Sequence, residues 1–306
     1  MRSRTHVAIA LAAGTIVFAL AGAAAGASTV PPTEPPGTTE ITDTTVSVGT
    51  IPDPAACAEG LTLEDGVLTV ATGDPAFPPY VIDDDPESGE GFEAAVAYAV
   101  AGQMGFAHDD VEWVRTPFEA AIQPGPKSFD FNIQQYSITE ERAEVVSFSL
   151  PYYTSTQAIV ALADNDAADV ATLPEMQTLR LGVAAGTTSL TLIEDVIQPS
   201  SDVQVFNDNA AVVQALSTQQ IDAIVVDLPT ALFLAAVEIE DGVVVGQFPP
   251  IDTAPGDQWG LLFEQDNPLV ECANYALLSL RQSGELDEIT TTWMEEATDV
   301  PVFDLE

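Results

Sequence analysis

From residue 61 onward, short apolar runs alternate with helix-length stretches. Residues 67–72 and 111–114 read as strands, and 129–133 as a third. Between the first two, Gly91-Phe92 leads into an Ala-rich helix that stops near Gly102 and Gly105. After the second, Thr116-Pro117-Phe118 opens a short helix that Pro124-Gly125-Pro126 breaks. Residues 157–162 form a strand leading out of this unit. A second set comes next: strand 181–184, a tight turn at Gly186, an amphipathic helix from Thr187, the buried strand 221–226 and a strand over 243–248. A strand over 259–263 then returns to the first set, and helices from Pro268 and Glu285 close the chain. Strands alternating with helices predict an α/β fold with mainly parallel sheets. Such sheets take ligands beyond the carboxyl ends of their strands. Phe77, Phe118 and the turn Gln134-Gln135-Tyr136 all fall there.

The first residues carry a different pattern. Arg2 and Arg4 precede an apolar stretch over 7–22, and Ala25-Gly26-Ala27 has the form of a cleavage site. Residues 1–27 are therefore expected to be a secretory signal peptide, with an uncleaved membrane anchor as the alternative; either places the rest outside the cytoplasm. Leu20-Ala21-Gly22 resembles a lipobox, but Ala23 stands where a lipidated Cys is needed, so no lipoprotein is expected. Residues 28–56 are rich in Pro, Thr and acid with little to bury, and are expected to form a disordered spacer. The 46% hydrophobic content of the chain fits well-filled lobes beyond the spacer.

Charge narrows the partners. The chain has 7 Lys and Arg against 48 Asp and Glu, a formal net charge of −41. Such a surface repels nucleic acid and anionic lipid. Self-repulsion of this size is tolerable mainly where salt screens it, so a saline working medium is expected. The thermal midpoint should then rise between very low and molar sodium chloride; equal midpoints would contradict this. Cys57 and Cys272 are the only cysteines, and in an exported chain such a pair forms a disulfide, here tying the start of the folded region to a late helix. Two cysteines with His6 and His108 make no zinc pattern. Asp83-Asp84-Asp85 with Glu87 and Glu90 lacks EF-hand spacing and reads as a solvated acidic loop.

Three positions carry candidate chemistry. Ser137 and Glu140 have capping-box spacing, which predicts a helix from Ser137 with Arg142 near its first turn. A cation is disfavoured there unless it faces an anion. Arg142 is thus either a surface partner of Glu140, Glu141 or Glu144, or an anion-binding group. Thr187, Thr188 and Ser189 open a helix whose free N–H groups and hydroxyls either form an ordinary N-cap or hold an anion. Asp227, at the end of strand 221–226, either caps the helix that starts at Leu228-Pro229 or presents its carboxylate to a cation.

Seven motifs in register join these parts: TGDPAFPPY, GFEAAV, TPFEAAI, FDF followed by SITEERAEVVSFSLPYY, GVAAGTTS, IDAIVVDLPTA and WGLLFEQDNPLV. Together they resemble an extracellular solute-binding protein of the amino-acid type, bacterial family 3, over about residues 61–294. The resemblance implies a two-lobed, periplasmic-binding-protein-like fold of type II, each lobe a mixed, mainly parallel sheet flanked by helices, with a two-strand hinge. Lobe 1 would be 57–156 plus 260–306, lobe 2 162–254, and the hinge strands 157–161 and 255–259. It further implies that Arg142 pairs with an amino acid's α-carboxylate, helped by Thr188 and Thr187. Asp227 would take the α-ammonium, Phe77 and Phe118 would sandwich the side chain, and Asp74 would line its far end. Ser137 matches a position that touches the carboxylate or its surroundings. The implied partner is the permease of an ABC importer, the implied state a monomer, and no cofactor is implied.

Two departures from the family pattern stand out. The turn before SIT usually has small residues, and Gln134, Gln135 and Tyr136 here change the pocket's size or hydrogen bonding. Ala95 replaces a common acid on the helix after GFE. Unless Arg115 or Lys127 reaches the pocket, Arg142 is its one base, which disfavours acidic ligands. Two rivals remain: an amino-acid sensor coupled to no transporter, and a dehydratase-like enzyme on the same scaffold. The enzyme needs a general acid, for which Glu93, Glu119 and Asp74 are the candidates.

Overall fold

The computed structural model describes residues 50–250, 256–294 and 300–305. Among the described residues, twelve strands arrange in two five-stranded sheets and one short ribbon. The first sheet has the order β2-β1-β3-β12-β4, from β1 (Leu68–Thr72), β2 (Val111–Arg115), β3 (Phe131–Asn132), β4 (Val146–Phe148) and β12 (Leu262–Glu264). The second has the order β10-β6-β9-β7-β8, from β6 (Gln157–Leu162), β7 (Leu181–Ala184), β8 (Gln204–Phe206), β9 (Ala223–Asp227) and β10 (Gly242–Gln247). The ribbon pairs β5 (Tyr153–Ser155) with β11 (Asp257–Trp259), antiparallel. Each sheet has two parallel and two antiparallel pairings, so "mainly parallel" overstates the pattern. The antiparallel ones belong to strands adjoining the crossings between lobes: β12 in the first sheet, β6 in the second.

The expected hinge strand at 157–161 is corrected. Gln157–Leu162 is buried along its whole length and pairs with both β9 and β10 inside the second sheet. Its run of apolar side chains needs cover on both faces, which a two-stranded ribbon lacks. The ribbon lies earlier, at Tyr153–Ser155. The expected strand 259–263 is two strands, broken at Gly260 and Leu261.

Both ends of the first lobe also differ from expectation. Residues 54–58, partly within the expected spacer, form a helix whose N-cap Asp53 accepts from the Ala55 N–H, with Pro54 at its first position. Cys57 on that helix bonds Cys272 on the helix Leu269–Ser283, with Cα atoms 5.4 Å apart. The final residues pack on lobe 2 rather than lobe 1. The Gln247 N–H donates to the Pro301 carbonyl and the Phe303 N–H to the Gln247 carbonyl. Phe303 enters the second lobe's core beside Phe248, over Gly246, where a Cβ would stand 2.6 Å from its ring. The expected signal peptide and most of the spacer lie outside the described residues. Among those described, no helix is long and apolar enough to cross a membrane.

The first core gathers Phe92, Phe131, Trp259, Phe263 and the apolar face of Leu269–Ser283. The second sheet separates two cores, one around Ile224, Val226 and Leu216, the other around Ile159, Val225 and Ile193. With their strands locked on both faces, the sheets hold the turns at the strand ends in fixed positions.

Candidate functional site

Those turns enclose a cavity of about 280 Å³, near the lower end of small-molecule sites at roughly 300 Å³. From the first lobe it is lined by the Gly73–Phe77 turn after β1, by Phe118, by Gln134, Gln135 and Ser137 after β3, and by Arg142. From the second come Thr187 and Thr188 after β7, Asn207 and Asp208 after β8, and Asp227 at the end of β9. All nine expected ligand-site residues, Asp74, Phe77, Phe118, Gln135, Ser137, Arg142, Thr187, Thr188 and Asp227, therefore border one space.

Arg142 is 8% exposed. The described ion pairs are Arg115 with Asp84 and Arg180 with Asp222, so Arg142 is not held by the surface glutamates beside it. One Nη donates to the Ser137 carbonyl and the other to the Gly186 carbonyl of the opposite lobe, each at 2.8 Å. These bonds use two of its five N–H groups. The expected helix start at Ser137 is corrected: Thr139 is the N-cap, accepting from the Arg142 N–H, and the helix is Glu140–Ala143. Ser137 instead bridges to Trp259 of the ribbon, in extended pairing that its hydroxyl does not interrupt.

Asp227 makes no side-chain bond to the helix it precedes. Its carboxylate accepts at 3.0 Å from the Gln157 amide, which also donates to Asp257 at 2.5 Å and to Thr188 at 3.2 Å. Burial, with Asp257 next, pushes its pKa well above the carboxylate range; Arg142 opposes this and Glu93 adds to it. Burial pulls Arg142 below its ordinary value, and Asp257, Tyr136 and Asp227 draw it back up. Asp74, Glu93, Asp208 and Asp227 line the cavity against Arg142, its only base among the described residues. The site is short of positive charge.

Other expectations shift in detail. The Thr187 hydroxyl donates to the Ala184 carbonyl and accepts from the Leu190 N–H, so it caps its helix. Phe118 stacks on Tyr136, with ring centroids 4.6 Å apart, and Arg142 lies 5.6 Å from the Phe118 centroid. The bulky Tyr136 thus fills space behind the wall and fixes Phe118. Its hydroxyl donates to the Gln134 side-chain oxygen at 2.9 Å. Gln135 turns its amide to Glu93. Arg115 binds the Gly73 carbonyl and Asp84, and the Lys127 ammonium binds the Gln123 carbonyl, so neither lines the cavity.

Sequence reading missed Tyr80, Thr230, Gln157 and Asp257. The Tyr80 and Thr230 hydroxyls meet across the cleft at 2.8 Å, and Ser137 and Thr188 at 3.4 Å. Tyr80 was visible as the end of the aromatic, proline-rich turn, but its partner lies 150 residues away.

Two lobes closed on a small, enclosed, acid-rich cavity define a clamp for a small polar molecule. The model of the bacterial extracellular solute-binding proteins, family 3, matches residues 68–296, and the chain belongs to that family. It is 28% identical to an arginine-binding periplasmic protein of Mannheimia haemolytica, over 72% of this chain and 89% of that one. It is 25% identical to the L-cystine-binding protein TcyJ of Escherichia coli K12, over 75% and 83%. Among solved structures it resembles an ancestral arginine-binding protein bound to arginine, at 30% identity and TM-score 0.63, covering 75% and 99%. It also resembles an ancestral amino acid-binding protein described as a precursor of cyclohexadienyl dehydratase, at 27% identity and TM-score 0.62, covering 75% and 96%.

Proposed function

We propose that the protein binds a free amino acid outside the cytoplasm, as a monomer, and delivers it to the permease of an ABC importer. The carrying observation is one buried guanidinium among acids of both lobes, with N–H groups to spare. A planar guanidinium matches a carboxylate through paired, charge-assisted bonds. Arg142 would hold the α-carboxylate with Ser137 and Thr188, and Asp227 the α-ammonium. Phe77 and Phe118 would flank the side chain, with Asp74 and Gln134 toward its end. Only a zwitterion satisfies both lobes together, so its differential affinity favours closure.

The excess of acid favours a cationic side chain. Arg115 and Lys127, which a carboxylate side chain would need, are engaged elsewhere. The role is binding rather than catalysis: of the acids weighed as proton donors, Glu93 receives three hydrogen bonds, while Asp74 and Glu119 are exposed. Calorimetric titration with the twenty amino acids should give its tightest binding for arginine or another cationic member. Heat from none of them would contradict the proposal.

A further inference from the structure

Glu93 is the second residue of the helix Phe92–Gln103 and is fully buried, yet it borders the cavity. Gly91 allows this approach: a Cβ there would stand 2.4 Å from the Tyr80 carbonyl oxygen. One Glu93 oxygen accepts from the Gln135 backbone N–H at 2.7 Å and from the Tyr152 hydroxyl; the other accepts from the Gln135 side-chain amide. Gln135 has φ +49°, a left-handed conformation that costs a non-glycine residue energy unless its surroundings enforce it. Tyr152 immediately precedes the ribbon strand β5. One carboxylate therefore ties together the strained turn between Gln134 and Ser137, the helix behind it and the start of the crossing between lobes.

We propose that ionised Glu93 is a positioning residue for the ligand site, holding the Gln134–Ser137 wall in its binding shape and making ligand affinity fall as the pH drops below neutrality. The ligand in this proposal rests on the amino-acid function proposed for the cavity; the clamp itself does not. A neutral carboxyl accepts more weakly than a carboxylate, so protonation of Glu93 weakens its bond from the Gln135 backbone N–H, and Gln135 loses part of what offsets its strain. A ligand that needs the wall in this shape binds the ionised form more tightly and, by reciprocity, favours ionisation of Glu93.

Two opposed effects bring the change into the physiological range. Burial raises the Glu93 pKa to about 7, against the lowering by Tyr152 and Gln135. The fold alone thus favours the protonated carboxyl. Its contribution to stability is fully present below the ordinary carboxyl range and is lost as the pH rises through about 7. Tyr80, Tyr136 and Tyr152 also face Glu93, and burial lifts each above the ordinary phenol value, so none changes charge between pH 5.5 and 8.5. Asp227 is the other acid that faces it, and variants separate the two.

The test pairs a ligand-free readout with a binding one. In the ¹⁵N-labelled protein, the Gln135 amide resonance should titrate with a midpoint near 7, and this transition should vanish in Glu93→Gln. Calorimetry uses L-arginine or, if that gives no heat, whichever of the twenty amino acids does. The wild type should bind about tenfold more weakly at pH 6 than at pH 8, the weakening expected one unit below the midpoint. The part of this dependence centred near 7 should disappear in Glu93→Gln. Tyr152→Phe removes one donor to the carboxylate and should move both midpoints to higher pH, giving a second measure if Glu93→Gln folds poorly. A Gln135 resonance indifferent to pH would overturn the proposal, as would pH–affinity curves that superimpose for wild type and Glu93→Gln. If no amino acid binds, the amino-acid reading fails, while the resonance still decides the clamp.

Discussion

Arg142→Ala is expected to weaken amino-acid binding by about 2–5 kcal/mol, roughly thirtyfold to several thousandfold in Kd. The effect is large because Arg142 is buried and the cavity holds no second base among the described residues. The ligand carboxylate would be buried without a counter-charge, and the Gly186 carbonyl would lose its donor from the first lobe. Arg142→Lys should recover part of the loss, since it keeps the charge but loses the planar fork. Calorimetry measures both variants, and a thermal midpoint near the wild type's shows that the fold persists. An alanine variant with wild-type affinity would remove Arg142 from the site.

Loss of the Cys57–Cys272 bond should be the largest stability effect of a single covalent change. The bond closes a loop between residues 215 apart in sequence, and removing such a constraint typically costs about 2–5 kcal/mol. The first lobe depends on it in a particular way. The helix Pro54–Ala58 is one and a half turns long and cannot hold itself together, and the disulfide fastens it to the long helix Leu269–Ser283. Chemical denaturation of Cys57→Ser/Cys272→Ser should show a lower midpoint, with affinity little changed because neither cysteine borders the cavity. Equal midpoints with and without the bond would show that packing alone anchors the helix.

The parts legible in the sequence were those with strong local patterns. Strands such as Leu181–Ala184 and Ala223–Asp227 announce themselves by unbroken apolar runs, and the Ala-rich helix ends where its glycines predict. Arg142 drew attention because bases are scarce. The capping-box spacing at Ser137 misled because Thr139, two residues later, takes the cap, a choice decided by the pairing of Ser137 with Trp259. The ribbon was misplaced because Tyr153–Ser155 is short and partly polar, while the adjoining apolar strand looked the stronger candidate. Gln157, Asp257 and the ties that Glu93 makes to Gln135 and Tyr152 were hidden for another reason. Each acts through partners 31 to 100 residues away, a separation no local pattern reports. The final residues looked like part of the first lobe by chain order, yet Phe303 finds its cover in the second.

The most direct measurement is a crystal structure of the protein with the amino acid that binds it best. The bridging account predicts its carboxylate oxygens within hydrogen-bond distance of the Arg142 guanidinium and its ammonium on the Asp227 carboxylate, with both lobes in contact. A bound amino acid whose carboxylate and ammonium are both held by the same lobe, with Arg142 or Asp227 turned away, would contradict it.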